Sequence, residues 1–186
     1  MIRDDRFSAD IARAFNLFRL NDVKQLGFLQ QPWTGAGEQH LAFELGTHTR
    51  YLHSLDVMMI ATLIGYNIGL TRQKLRTLRT AAFTHDWGTP AGGDSVKLVD
   101  PVAFDEDANY ASLLKRRLDP NTWTTLKRKH HISEKPLIEA ILNKGLLGQI
   151  LDVADKIAYT SRDMASCLRY MLSPEQHDFY VGTKAL

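Results

Sequence analysis

Apolar residues recur at three- and four-residue intervals along most of this chain, so the folds open to it are helical ones. Leu75, Leu78, Ala82 and Phe83 keep that spacing behind Thr71, which suits an N-cap, and Gly88 and Pro90 end the pattern. Ser8 fits the cap of an earlier helix with Ile11, Ala14, Phe15 and Phe18 facing inward. A long helix begins at Arg50 and carries His53, Leu55, Met58, Met59, Thr62 and Leu63. The apolar run from Val57 to Leu70 is interrupted by Asn67 and too short to span a bilayer, so it reads as a buried helix and no membrane partner is expected. Beyond Pro101, Asp105-Glu106-Asp107 opens a helix holding Leu113 and Leu114, and Asp119-Pro120-Asn121 reads as a turn. Ser133 caps a further helix with Pro136 near its start, and Gly145 to Gly148 separates that helix from a last one, Gln149 to about Leu172.

One stretch departs from this pattern. Between Gln30 and Thr49, Pro32, Gly35, Gly37 and Gly46 break any long periodicity and no strand alternation persists, which predicts a loop long enough to be functional. With 186 residues, no repeats and no linker, a single domain over 1–186 is expected, ending in a tail over 173–186. A net charge of +2 with 24% charged residues gives no argument for nucleic-acid binding. The lone Cys167 cannot close an internal disulfide, and Met1-Ile2-Arg3-Asp4-Asp5-Arg6 leads into no apolar signal segment. A reducing, cytoplasmic setting is the expectation.

Two places carry chemistry. His85 and Asp86 stand where a helical pattern stops; adjacent residues inside a helix diverge by about 100°, but at a frayed end both can turn toward one point. An imidazole beside a carboxylate suits a borderline divalent metal, although surface or capping roles are common for such a pair. In the last helix, Asp155, Tyr159 and Asp163 are spaced by four and share a face, apart from the apolar stripe Ile150, Leu151, Ala154, Ile157 and Ala158. That polar face either lines a site or is a solvated one on which Asp155 and Asp163 pair with Lys156, Arg162 or Arg169. The run Lys127-Arg128-Lys129-His130-His131 reads as a solvated or phosphate-facing loop at a helix start rather than as a source of second-metal ligands. His40 and His48 fall in the long loop and His177 in the tail; His48, next to Arg50, could approach a site, but a loop histidine with no assigned partner is usually exposed.

Taken together, Arg50-x-x-His53-Ser54-Leu55, His85-Asp86 and Asp155 resemble the His…His-Asp…Asp pattern of the HD-domain metal-dependent phosphohydrolases. The details are most similar to the deoxynucleoside triphosphate triphosphohydrolase branch. Asp155-Lys156-x-x-Tyr159-x-x-Arg162-Asp163 matches its nucleotide-contacting helix, Gln25-Leu26-Gly27 its deoxyribose segment, and Gly46-Thr47-His48-Thr49-Arg50 the lead-in to its first histidine helix. The similarity runs from about Lys24 to Arg169. It implies an all-α HD-domain helical bundle with a long loop before the first metal-ligand helix. It also implies one divalent metal on His53, His85, Asp86 and Asp155, with manganese, iron, cobalt, nickel or zinc fitting that donor set better than magnesium. Arg50 would neutralise charge on the phosphate, Lys156 would bind a phosphate, Gln25 and Asp163 the sugar hydroxyl, and Tyr159 and Leu26 the sugar. The products would be a deoxynucleoside and tripolyphosphate.

The departures from that branch are specific. Gly-His and a later histidine usually follow the His-Asp pair, whereas this chain reads Gly88-Thr89-Pro90-Ala91-Gly92-Gly93-Asp94. The branch's proton-transferring His-Glu pair falls on Asp105-Glu106, and a carboxylate is a poor general acid near neutrality unless burial raises its pKa. Slow turnover or a changed substrate follows from the loss. A nucleoside monophosphatase or phosphodiesterase of the same family, or a catalytically degenerate nucleotide-binding module, are therefore the alternatives. Relatives of this branch are generally larger and oligomeric, so a homo-oligomer is open.

Overall fold

Capping side chains set where several of the helices begin. The computed structural model describes residues 5–23, 48–91, 93, 96 and 99–171, and among these it contains α-helices and 3-10 segments but no β-strand. Helix α1 spans Asp5–Ala14, α2 Arg50–Asn67, α3 Arg72–Thr84, α4 Glu106–Arg117, α5 Pro120–His130, α6 Glu134–Ile141 and α7 Gly145–Met171. Thr49 Oγ1 accepts the Leu52 amide at the start of α2 at 3.2 Å, and Thr71 Oγ1 accepts the Lys74 amide at the start of α3 at 3.4 Å. Asp105 does the same for α4 through Ala108, and Asp119 for α5 through Thr122, at 2.9 and 2.7 Å. The fold class is the all-α bundle expected.

Helices α2 and α3 pack along each other, with α7 against both and α6 across α3 and α7. Gly65 of α2 permits the close approach of α3: a Cβ there would lie 2.9 Å from Leu75 Cδ1. One contiguous cluster of buried residues runs from Phe7, Ile11 and Phe15 of α1 through Val57, Ala61, Leu78 and Phe83 to Tyr110, Leu137 and Ala154. Helix α1 is held from outside the apolar core as well. The Arg76 and Arg79 guanidinium groups stack on the Phe7 ring at 4.6 and 4.5 Å, and Lys129 and His130 of α5 both bond Asp10 Oδ2, at 2.6 and 2.8 Å. Helices α5 and α6 are clasped where Trp123 Nε1 and Lys127 Nζ donate to Glu134 Oε2.

Several local expectations change. Ser8 lies inside α1, its hydroxyl on Met58 Sδ, and Phe18 is 52% exposed because the chain leaves the helix at Asn16, which adopts φ +49°. The Val57–Leu70 run is buried on one side only rather than wholly: Met59, Leu63 and Tyr66 face outward. Asp119-Pro120-Asn121 is the cap and first turn of α5, with proline where its missing N–H costs nothing. Lys127 to His130 are therefore the last turn of a helix, where positive charge opposes the negative end of the dipole. No helix among the described residues is long and apolar enough to cross a membrane.

Gly145 and Gly148 do not separate α6 from α7. Helix α7 begins at Gly145, after Asn143 and Gly145 turn the chain with φ +56° and +65°. Gly148 lies inside the first turns, where an added Cβ would sit 2.5 Å from the Asn143 carbonyl carbon. Backbone on both sides leaves no flexible group to yield. Gly148→Ala is expected to destabilise the fold by about 1–3 kcal/mol in chemical denaturation, whereas Gly69→Ala, which meets no atom, suffers only from its φ of +74°.

Candidate metal centre

Three helices deliver one side-chain cluster. The first turn of α2 presents Arg50 and His53, which are neighbours on its surface at i and i+3. Helix α3 gives way at His85 to a 3-10 segment, His85–Gly88, and this tighter path brings His85 and the adjacent Asp86 toward the same point. Asp155 reaches them from α7. His53 Nε2 lies 2.8 Å from Asp155 Oδ1 and 3.8 Å from Asp86 Oδ2; His85 Nε2 lies 3.6 and 3.5 Å from the same two atoms. One donor atom each from His53, His85 and Asp86 falls within 4.8 Å of the others.

Two members of the cluster are oriented from behind. His85 Nδ1–H donates to the Ala82 carbonyl at 2.9 Å, which turns Nε2 into the cluster. Arg50 Nη1 donates to Asp86 Oδ1 at 2.6 Å with both side chains buried. The other oxygen, Asp86 Oδ2, is buried, has no hydrogen bond, and faces the two imidazoles. A buried carboxylate oxygen without a donor is an expensive feature unless a cation completes it.

The electrostatics agree. Burial pushes the His85 imidazole down, but Asp86 and Asp155 override it and hold it up at about 10. Burial raises Asp155, yet hydrogen bonds from His53 and His85 keep its carboxyl well below the usual range; Asp86 is held low by Arg50 and the histidines against the same burial. The cluster is thus arranged around a positive charge, which a protonated imidazole supplies and a divalent ion could replace. Two imidazole nitrogens and two carboxylate oxygens suit a borderline divalent ion, and four protein ligands leave positions for water and substrate. The residues present fit a metal.

The remaining named residues divide. Asp163 is buried on α7, two turns from Asp155, with the half-buried Tyr159 between them. Lys156 is exposed and bonded to Asp152 at 2.6 Å, while Arg162 bonds Asp56 of α2 at 2.6 Å, so neither neutralises Asp155. Gln25, Leu26, His40 and His177 lie outside the described residues. His130 is not a ligand at this cluster: it is buried edge-on against Phe7 and bonded to Asp10, and His131 is the exposed left-handed cap of α5. The loop placement expected for the pair is thereby corrected. His48, unlike an exposed loop histidine, is buried with neither ring nitrogen hydrogen-bonded, and burial with the nearby His53 pushes it down to about 4.

Asp105 is an exposed helix cap, and Glu106 is buried where it crosses Gly88: a Cβ on Gly88 would meet Glu106 Cβ at 2.7 Å. The third acid, Asp107, is the one that sequence reasoning passed over. It is half-buried, and burial pushes it up to about 6; His85 opposes the shift while Glu106 and Asp86 add to it. The only advance signal was three acids in a row at a helix start, which stepping by about 100° must point in different directions. An aspartate raised above 3.8 favours the fold while neutral, an advantage present below that value and lost as pH rises through about 6. Asp107→Asn should therefore leave the melting temperature of the metal-free protein nearly unchanged near pH ~4 and raise it by roughly 2–6 °C near pH ~8, read by calorimetry.

Residues 50–160 match the HD domain, a span that begins at the Arg50 of α2 and closes five residues after Asp155. No curated protein and no solved structure matches the chain. The match covers the helices that carry His53, the His85-Asp86 pair and Asp155, and on that ground the chain belongs to the HD-domain family of metal-dependent phosphohydrolases.

Proposed function

We propose that this HD-domain protein hydrolyses a deoxynucleoside triphosphate at the α-phosphate, releasing the deoxynucleoside and tripolyphosphate. The observation that carries the reading is the face of α7: Asp155 stands in the metal cluster, and Tyr159 and the buried Asp163 follow it one turn apart. A phosphate held at the cluster would place the attached sugar along that face. Tyr159 would pack on the sugar and Asp163 would accept its hydroxyl hydrogen, while Lys156, exposed beside Asp155, reaches a trailing phosphate once it leaves Asp152.

A divalent ion held by His53, His85, Asp86 and Asp155 would polarise the phosphate and lower the pKa of water. The chain's own groups do the rest. Water adds to the α-phosphorus as the bond to the sugar oxygen breaks, and that oxygen leaves with a proton. Asp107, neutral below about 6 and electrostatically linked to His85, is a better donor than the capping Asp105. Arg50 donates to Asp86 through Nη1, so its first task is to fix that carboxylate.

A binding module is the second reading, favoured by the run Gly88-Thr89-Pro90-Ala91-Gly92-Gly93-Asp94, which holds neither of that branch's histidines, and by the capping role of Asp105. A family monophosphatase or phosphodiesterase would keep the cluster and have no use for Tyr159 and Asp163.

The product assay separates them. Purified protein with manganese and each deoxynucleoside triphosphate is expected to yield deoxynucleoside by chromatography and tripolyphosphate by phosphorus NMR, and His85→Ala to lose both the product and the bound metal. Orthophosphate as the product would assign a phosphatase; metal retention with no product would assign the binding module. Tyr159→Ala should lower kcat/KM for the triphosphate by roughly tenfold to a hundredfold while sparing a generic aryl phosphate. Equal losses on both substrates would remove the sugar-packing role.

A further inference from the structure

A cavity opens beside the turn that follows Asp86. It has a volume of ≈ 390 Å³, within the size range of small-molecule sites, and none of the four metal-cluster residues lines it. Arg19, Arg116 and Arg117 line it together with Phe104, Asp105 and Glu106.

Three guanidinium groups around one hollow repel one another unless something negative lies between them. Arg19 is fixed in place: its Nη1 donates to the Thr89 carbonyl at 2.8 Å and its Nη2 to the Trp87 carbonyl, and neither acceptor carries a full charge. Burial and the Arg117 charge both disfavour its protonated form. Arg117 is exposed in the last turn of α4 and makes no hydrogen bond or ion pair among the described residues. Among the described residues Arg116 bonds only Ser112, at 3.4 Å to the carbonyl and 3.2 Å to the hydroxyl. Asp105, in the same lining, accepts the Ala108 amide on one oxygen and keeps acceptor capacity. The lining therefore combines donors for an anion with carboxylates for hydroxyl hydrogens.

We propose that this cavity is a binding site for a phosphomonoester attached to a hydroxyl-bearing sugar, with the phosphate on Arg19, Arg116 and Arg117 and the sugar hydroxyls on Asp105 and Glu106. Guanidinium forks match phosphate oxygens in geometry and charge, which separates this ligand from a neutral sugar or a simple carboxylate. Phe104, partly exposed at 37%, offers a flat apolar surface beside it, on which a base could stack if the sugar phosphate is that of a nucleotide. Arg19 then connects the ligand to the backbone that carries His85 and Asp86, since it already holds the Trp87 and Thr89 carbonyls. The site stands on its own wall and holds whether or not the metal centre hydrolyses a triphosphate.

The test is calorimetric titration of the full chain, stripped of metal with chelator, with ribose 5-phosphate, AMP and inorganic phosphate. Ribose 5-phosphate is expected to bind saturably, and the double variant R116Q/R117Q to lose about tenfold or more in affinity while keeping its melting temperature and its manganese uptake. Both arginines are on the surface of α4 and outside the metal cluster, so folding and metal binding serve as internal controls. AMP binding more tightly than ribose 5-phosphate would identify the ligand as a nucleotide; equal affinity would identify a sugar phosphate. Absence of saturable ribose 5-phosphate binding up to about 10 mM, or binding that R116Q/R117Q leaves unchanged, would overturn the assignment.

Discussion

The buried pair between Arg50 and Asp86, at 2.6 Å, is the contact on which the site's arrangement depends. Taking both charges out of water costs several kcal/mol per ion before their attraction is counted, so the pair is weak evidence of stability. What it fixes is direction. One Asp86 oxygen is consumed by the guanidinium, and the other is thereby aimed at His53 and His85 with no other donor to satisfy it. Arg50 sits three residues before His53 in the same turn, so the residue that orients Asp86 is tied to His53. Asp155 then links α7 to both histidines, and helices far apart in sequence are held at one point by polar contacts within a mostly apolar bundle.

Much of this was legible in the sequence for reasons that are local. Thr71 and Asp105 cap where the apolar spacing begins, because a hydroxyl or carboxylate one residue before a helix satisfies amides that nothing else can reach. His85 and Asp86 were recognisable as convergent because a helix was ending beneath them, and the 3-10 segment is the physical form of that ending. Asp155 was recognisable only as part of a stripe with Tyr159 and Asp163, and spacing alone favours a solvated face on which it pairs with Lys156, Arg162 or Arg169. The structure gives Lys156 to Asp152 and Arg162 to Asp56, which leaves Asp155 to the histidines.

What was not legible depended on residues distant in the chain. Pro120 reads as a turn from its neighbours but occupies a helix's first position, and that choice moves the whole basic run from a helix start to a helix end. His130 looked solvated because it is followed by His131 and preceded by Lys129; its burial is decided by Phe7 and Asp10 of α1, more than a hundred residues away. Gly148 looked like a breaker, when the reason for a glycine there is the Asn143 backbone folding back against the helix. Asp107 was hidden in the same way, since nothing in three consecutive acids says which one burial will push up.

The HD match begins at residue 50, yet the molecule does not divide there. Phe7, Ile11 and Phe15 belong to the same buried cluster as Leu78, Trp87 and Tyr110, and the Phe15 ring stands edge-on to Trp87 at 4.9 Å. Arg19, just beyond α1, holds the carbonyls of Trp87 and Thr89, the residues immediately after Asp86 and at the end of that turn. A 3-10 segment leaves such carbonyls without the regular partners of an α-helix, so an outside donor is needed to keep the turn in one shape. The N-terminal residues therefore supply both the apolar backing and the hydrogen bonds that set the path of the His85-Asp86 turn. Position within the family match and contribution to the site are separate properties, and in this chain Arg19 has the second without the first.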